Sequence, residues 1–413
     1  MLSFPRLWCN AGGSQSELEA YLERSKSVLI EVSLSSPQLA ASIIPHTFRL
    51  VTLTVYMEKS SGLGEITEHL RGPIPTLRSL EICGQHYLLE FSSGLWEGLF
   101  RHLNTISFHT IPSFLGPQTF PHITELFLYP NTPFYGSVVT LLNTLERLPG
   151  LVKVSARFGW NWSREFNFPR IVTLPCVQEM HLFSFTADRS GSVEAIPPIL
   201  RFLKLPKLTS VTLRSRFSSG TIHPILPVTS FGEQLPNYVE LPELRIDTAP
   251  HSGTAVFQSP SQAVLTYHTG PLWRYRQDRL LWGNLPLSSV RRVTAVLVDP
   301  ALGDEDVWLV NMLRDLDFLE LLELGGDCGW VLQRLRRRLE RAAMRIDIKT
   351  LVVRGGEHAR RQALKFESVK SGLGLQNMTV TYILDAEVDE GLEQDSGSSD
   401  GISEEDSDDS EEE

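Results

Sequence analysis

Few residues in this chain have the types and spacing that chemistry needs. Eleven histidines are scattered through the sequence. His102 and His109 stand seven apart, His46 stands alone, and no H-E-x-x-H pair offers two imidazoles on one helix face. One formal nucleophile signature occurs, Gly397-Ser398-Ser399-Asp400-Gly401. It lies in an acidic stretch without the strand-turn-helix that would lift a serine into position. The four cysteines, Cys9, Cys83, Cys176 and Cys328, are far apart and form no C-x-x-C pair. That excludes the usual zinc spacings and argues against a disulfide framework. Asp299-Pro300 and Asp304–Asp306 could ligate a hard cation, but they precede an apolar helical stripe and suit its N-terminal cap. "GGDCG" (Gly325–Gly329) and "RGG" (Arg354–Gly356) read as turns, since a phosphate cradle also needs a helix start and a lysine. The residues therefore give no catalytic, cofactor or metal assignment.

The elements that carry these residues show a period. "IPTLRSLEI", "FPHITELFL", "LPGLVKVSA", "LPCVQEMHL", "LPKLTSVTL" and "LPELRI" each place a proline before an apolar-x-x-apolar-x-apolar triplet. Triplets begin at Leu50, Leu77, Leu103, Ile123, Leu151, Val177, Leu208, Leu241, Val290, Leu319 and Ile348, at steps of 27, 26, 20, 28, 26, 31, 33, 49, 29 and 29 residues. The long step contains "QAVLTYH" (Gln262–His268), a degenerate unit. One short strand every 20 to 30 residues is the leucine-rich-repeat period. In such a strand the second and third apolar residues share a face. A single unit cannot bury that face, so units must stack. The expected fold is α/β: a leucine-rich-repeat-like solenoid, with a curved parallel sheet and irregular helices on its convex side. Helical stripes are expected in Tyr135–Leu148, in "EDVWLVNMLRDL" and in "GWVLQRLRRRLERAAMRI". Residues 216–240 and "GWNW" (Gly159–Trp162) read as loop. An ordinary α/β enzyme, a hydrolase or transferase without a recognisable motif, is the alternative.

Charge divides the chain unevenly. The formal net charge is −11, yet residues 386–413 hold 14 Asp/Glu and no Lys/Arg, which leaves −11 + 14 = +3 for 1–385. The body lacks the clustered basic surface that duplex binding requires, so nucleic acid is not an expected partner. The basic run Gln333–Arg345 reads as the solvated side of a convex helix. No apolar run approaches 18 residues and no signal pattern opens the chain, which points to a cytoplasmic or nuclear protein with no membrane partner. The tail has too little apolar content to offset its ordering entropy. Within it Ser403, Ser407 and Ser410 sit among acids and are phosphorylation candidates.

If the strands are placed correctly, outward columns form a recognition face. The central strands then contribute Glu125, Phe127 and Tyr129; Lys153, Ser155 and Arg157; Glu179, His181 and Phe183; and Ser210, Thr212 and Arg214. Mixed charge beside aromatics suits protein binding, with Tyr129, Arg157 and Phe183 as the main anchors.

The opening of the chain resembles a known family. "FPRLWCN", a spacer, then "ELEAYLERSKSVLIEVSLS" is similar to the junction in F-box proteins of mushroom-forming fungi, where a "TPxLW" element closes the F-box and a "YLERS" helix and a strand open the repeats. Tyr21–Ser25 and Ile30–Leu34 carry the match. The resemblance implies the substrate-recognition half of a ubiquitin-ligase subunit, with an unknown protein as substrate or partner. The F-box motifs themselves do not occur, so contact with a Skp-type adaptor is not expected, and Phe4, Pro5, Leu7 and Trp8 read as docking residues for a missing helix bundle. The domains implied are 1–27, a remnant of the F-box junction with its linking helix; 28–384, the repeat domain; and 385–413, a disordered acidic tail.

Overall fold

The computed structural model describes residues 7–11 (backbone only), 14–57, 69–70, 74–84, 102–109, 119–129, 138–158, 170–185, 200, 202–216, 235–238, 240–249, 252–269, 287–297, 307–314, 316, 318–326, 328–341 and 348–384. The tail with Ser403, Ser407 and Ser410, the "GWNW" segment, Phe4, Pro5 and the acidic run 299–306 lie outside these residues.

The fold is α/β, dominated by one mostly parallel sheet of 16 strands. The strands are β1 (Leu7–Ala11), β2 (Ile30–Leu34), β3 (Leu50–Met57), β4 (Ser79–Gly84), β5 (Thr105–Phe108), β6 (Glu125–Leu128), β7 (Lys153–Phe158), β8 (Val172–Thr173), β9 (Glu179–Phe185) and β10 (Leu203–Lys204). They continue as β11 (Ser210–Arg216), β12 (Glu243–Ala249), β13 (Ser252–Gln258), β14 (Val264–Thr269), β15 (Arg292–Leu297), β16 (Leu321–Gly326), β17 (Thr350–Gly355) and β18 (Thr379–Leu384). Neighbours follow chain order except that β8 and β10 form a separate pair and the middle runs β11-β14-β13-β12-β15. There β13 is antiparallel to both its neighbours.

A recurrent turn starts many of these strands. Ile74–Leu77, Phe120–Ile123, Leu148–Leu151 and Leu205–Leu208 each close with an N–H of the fourth residue donating to the carbonyl of the first, at 3.2, 3.3, 3.2 and 3.3 Å. Proline takes the second position each time, where its fixed φ suits the turn. The apolar residues at both ends of each turn are buried. The proline noted in the sequence is thus the corner that carries the chain from one strand's lead-in to the next.

The inward positions of the strands, such as Leu53/Val55, Leu80/Ile82, Leu126/Leu128, Val154/Ala156, Val211/Leu213 and Leu351/Val353, belong to one continuous buried cluster. Helices add to the same cluster. Helix α1 (Gln15–Arg24) is capped by Ser14, whose Oγ accepts from the Glu17 N–H at 3.3 Å, and it buries Leu18 and Leu22. Two short elements follow β2: helix α2 (Ala40–Ile43) and the 3-10 turn Ile44–Arg49. Helices α3 (Val138–Glu146) and α4 (Val307–Arg314) occupy the expected stripes. Helix α5 (Gly329–Glu340) buries Val331, Leu332, Leu335 and Leu339, and leaves Arg337 exposed. Helix α6 (Glu357–Val369) buries Ala359, Gln362, Ala363 and Phe366, a helical stripe packed toward β17 and β18. No helix among the described residues is long and apolar enough to cross a membrane.

The opening segment forms a strand. The backbone of Leu7–Ala11 is the edge strand β1, paired in parallel register with Ile30–Leu34. The chain thus adds a strand here.

Candidate recognition face

Parallel register aligns every second side chain of one strand with its counterpart on the next. On the face opposite the core this builds three rows. The register places Glu125, Lys153, Glu179 and Ser210 in the first row and Phe127, Ser155, His181 and Thr212 in the second. The third row runs along the C-terminal ends of the strands. It aligns Tyr56 with Cys83, Arg157 with Phe183, Phe183 with Arg214, and Arg214 with His268. His109 and Tyr129 continue β5 and β6 in the same phase, fixed by their N–H groups donating to Ile82 O at 2.9 Å and Phe108 O at 2.8 Å.

The structure places Glu125, Phe127, Tyr129, Lys153, Arg157, His181, Phe183 and Arg214 on this one face. Their settings differ. Glu125 accepts from Thr105 Oγ1 at 3.1 Å, and Lys153 lies 3.2 Å from Glu179, so the first row is largely engaged within itself. His181 sits 3.8 Å from the same Glu179. Phe127 and Tyr129 stack with ring centroids 6.0 Å apart. Tyr129 shares a hydrogen bond of 3.0 Å with Ser155 Oγ, and Ser155 is buried beneath it. The ring of Tyr129 is thereby fixed leaning over the sheet toward β7. Phe183 and Arg157 are half-buried, and Arg214 is exposed.

Farther along the sheet the same face changes character. Arg245 pairs with Asp247 at 3.0 Å, Arg292 with Glu243 at 3.1 Å, and Arg354 with Glu323. Charges there are neutralised by neighbours on the sheet, and aromatic side chains give way to ion pairs. Exposed pairs of this kind contribute little stability. Among the described residues, the aromatic side chains of this face lie between β3 and β14.

Several titratable groups on the face are perturbed, Glu81 and His268 among them. The Glu81 carboxylate is held below its ordinary range chiefly by the hydrogen bond from His109 Nε2 at 2.9 Å, against an opposing effect of burial. Thr54 Oγ1 donates to its other oxygen at 3.3 Å. His268 is pushed down by burial and then by the Arg214 cation, and its Nδ1 lies 3.1 Å from Thr254 Oγ1.

One constellation was not read from the sequence. The ligand atoms of Glu81, Cys83 and His109 all lie within 4.8 Å of one another. Cys83 and His109 are 26 residues apart, the same step as from Leu77 to Leu103. A search at metal-ligand spacings passes over such a pair, whereas a search at the repeat step finds it. No family model matches the chain, and no curated protein does.

Proposed function

We propose that this chain is a protein-interaction module, built as a leucine-rich-repeat-like solenoid, that binds its partner on the third row of the outward sheet face. The observation that carries the reading is the row itself: Tyr56, Cys83, His109 and Tyr129 are followed by Arg157, Phe183, Arg214 and His268 across successive strand ends. Aromatic and arginine side chains supply most of the binding energy at protein interfaces, because they bury large areas at low entropic cost and make directional bonds. An extended peptide laid across successive strands would meet one such side chain about every 4.8 Å. The near-sequential order of parallel strands supports the solenoid reading, since each unit then needs only its neighbours to bury its apolar face.

The resemblance of Tyr21–Ser25 and Ile30–Leu34 to fungal F-box proteins gives this module a setting, the substrate-recognition half of a ubiquitin-ligase subunit. The test is capture of partners by the full chain and by a Tyr129→Ala/Arg157→Ala/Phe183→Ala variant, each crosslinked in cell extract. The triple variant is expected to lose the specific partner at least about tenfold, because two or three anchor losses exceed 1.4 kcal/mol. Equal capture by both proteins would refute the assignment of this row.

A further inference from the structure

The cluster at β4 and β5 carries an inference independent of any protein partner. We propose that Glu81, Cys83 and His109 form a binding site for one zinc-class divalent cation, with Cys83 Sγ, His109 Nε2 and a Glu81 oxygen as ligands.

The donor set decides the class of ion. Calcium and magnesium take oxygen ligands almost exclusively, so a thiol and an imidazole select against them. One sulfur, one nitrogen and one carboxylate oxygen match the ligands zinc takes in proteins. Tetrahedral bonds of about 2.0–2.3 Å separate donor atoms by about 3.3–3.8 Å. The three donors are already within 4.8 Å of one another, so side-chain rotation of about 1 Å closes the site.

The scaffold holds each donor in place. Glu81 and Cys83 are two apart on β4 and point to the same side. His109 follows β5, its backbone tied to Ile82 between them by the 2.9 Å bond. Thr54 Oγ1, from β3, reaches the second oxygen of Glu81 at 3.3 Å and orients the carboxylate. Such an outer partner is what tunes a ligating carboxylate. Cys83 is only 9% exposed, which shields the thiol without sealing it. With three protein ligands, the fourth position is left to water or to a side chain of a bound protein.

Binding has a defined proton balance. Cys83 releases its thiol proton to solvent. The bond from His109 Nε2 to Glu81 Oε1 is given up: a neutral ring shifts its Nε2 proton to Nδ1 by exchange with solvent, and an imidazolium loses it to solvent. Affinity therefore falls as pH falls, since protons compete for sulfur and nitrogen.

The experiment uses the full chain, reduced, stripped with a chelator and then titrated with zinc against a chromophoric competitor and with cobalt alone. One equivalent of cobalt is expected to bind with a thiolate-to-cobalt charge-transfer band and tetrahedral ligand-field absorption. The band separates this site from weak oxygen-only binding by the acidic tail. Cys83→Ser is expected to abolish the band, and both Cys83→Ser and His109→Gln to weaken zinc by more than about tenfold, beyond what loss of an outer-shell group alone produces at the low end. Cys176→Ser is expected to leave both readouts unchanged. Circular dichroism establishes that each variant is folded, and the unsubstituted protein supplies the decisive readout if one is not. Absence of a thiolate band at one equivalent of cobalt, or a band that survives Cys83→Ser, would overturn the proposal.

Discussion

Arg49 offers the sharpest test of how the start of the sheet is held. Its side chain is 1% exposed, and its partners are two carbonyls, a hydroxyl and His46 Nδ1, 3.0 Å from Nη2. Nη1 donates to Ser25 Oγ at 2.7 Å and to the Lys26 carbonyl, and Nη2 donates to the Leu22 carbonyl. These groups end helix α1, where unsatisfied carbonyls and the negative end of the helix dipole favour a cation. Arg49 lies in the turn before β3, so one guanidinium joins the helix to the strand that follows β2. A hydrogen bond to a charged group contributes about 1.5–3 kcal/mol. After Arg49→Met, Ser25 Oγ still donates to the Leu22 carbonyl at 2.9 Å. The groups left without their donor are then the Lys26 carbonyl, the acceptor side of Ser25 and the half-exposed His46 Nδ1, which water can reach, so the loss is about 3 kcal/mol. Methionine keeps most of the stem volume, so a cavity is a minor part of the change. The assay is hydrogen exchange on the full chain. Amides of α1 and β2 are expected to open about 100-fold more often, at about 1.4 kcal/mol per tenfold, while β16 to β18 stay unchanged. Arg49→Lys is expected to recover part of the protection. Wild-type exchange in α1 and β2 of Arg49→Met would refute the argument that polar satisfaction, and not apolar packing, fixes this corner.

Other outcomes follow from the same structure. Gly326 has φ +70°, and a Cβ there would lie 2.1 Å from the Leu297 carbonyl oxygen, so Gly326→Ala should destabilise the chain by more than about 2 kcal/mol in denaturant titration. Tyr238 is buried and its hydroxyl donates to the Val264 carbonyl at 3.1 Å, so Tyr238→Phe should cost about 1 kcal/mol in the same assay. The folded-state value of Glu81 lies below its ordinary one, so its contribution to stability is present above the usual carboxylate range and is lost as pH falls through the lowered value. Glu81→Gln should flatten the acid limb of the melting temperature against pH, and an unchanged limb would contradict the role given to the His109 bond. His268 is also lowered, so its neutral form contributes stability above its ordinary range, which is lost as pH falls toward the folded-state value. Arg214→Gln should move the His268 titration partway back up by NMR, with burial retaining the remainder.

The strands were legible because their burial is simple. Leu77, Leu80 and Ile82 in the sequence are the turn end and two inward positions of β4, and the other proline-led triplets map in the same way. Strand β13 was not legible, for two physical reasons. "SGTAVFQ" has adjacent apolar residues Ala255, Val256 and Phe257, which blur a period of two, and it follows β12 after a tight reversal and not after a proline turn. Strand β1 was not legible because strand pairing at an edge leaves no mark in a five-residue segment. Helix α6 is charged over much of its length, and its buried stripe of Ala359, Gln362, Ala363 and Phe366 contains only one large apolar residue. The face residues were placed by alternation alone. The grouping of Glu81, Cys83 and His109 depends on which strands are neighbours and in what register, information held by backbone hydrogen bonds and not by local residue type.

The reversed strand β13 sets a rule for how this chain can change length. Elsewhere, excising one strand with its connection brings two like-directed strands edge to edge, and the ladder heals. At the centre, the chain skips ahead from β11 to lay down β12, then fills the space behind it with β13 and β14 before passing to β15. Taking out β13 alone would leave the parallel strands β12 and β14 side by side, with a connection that must run back along the length of a strand instead of around a hairpin. Strands β13 and β14 are therefore removable as a pair, which would set β11 beside the like-directed β12, but β13 alone is not.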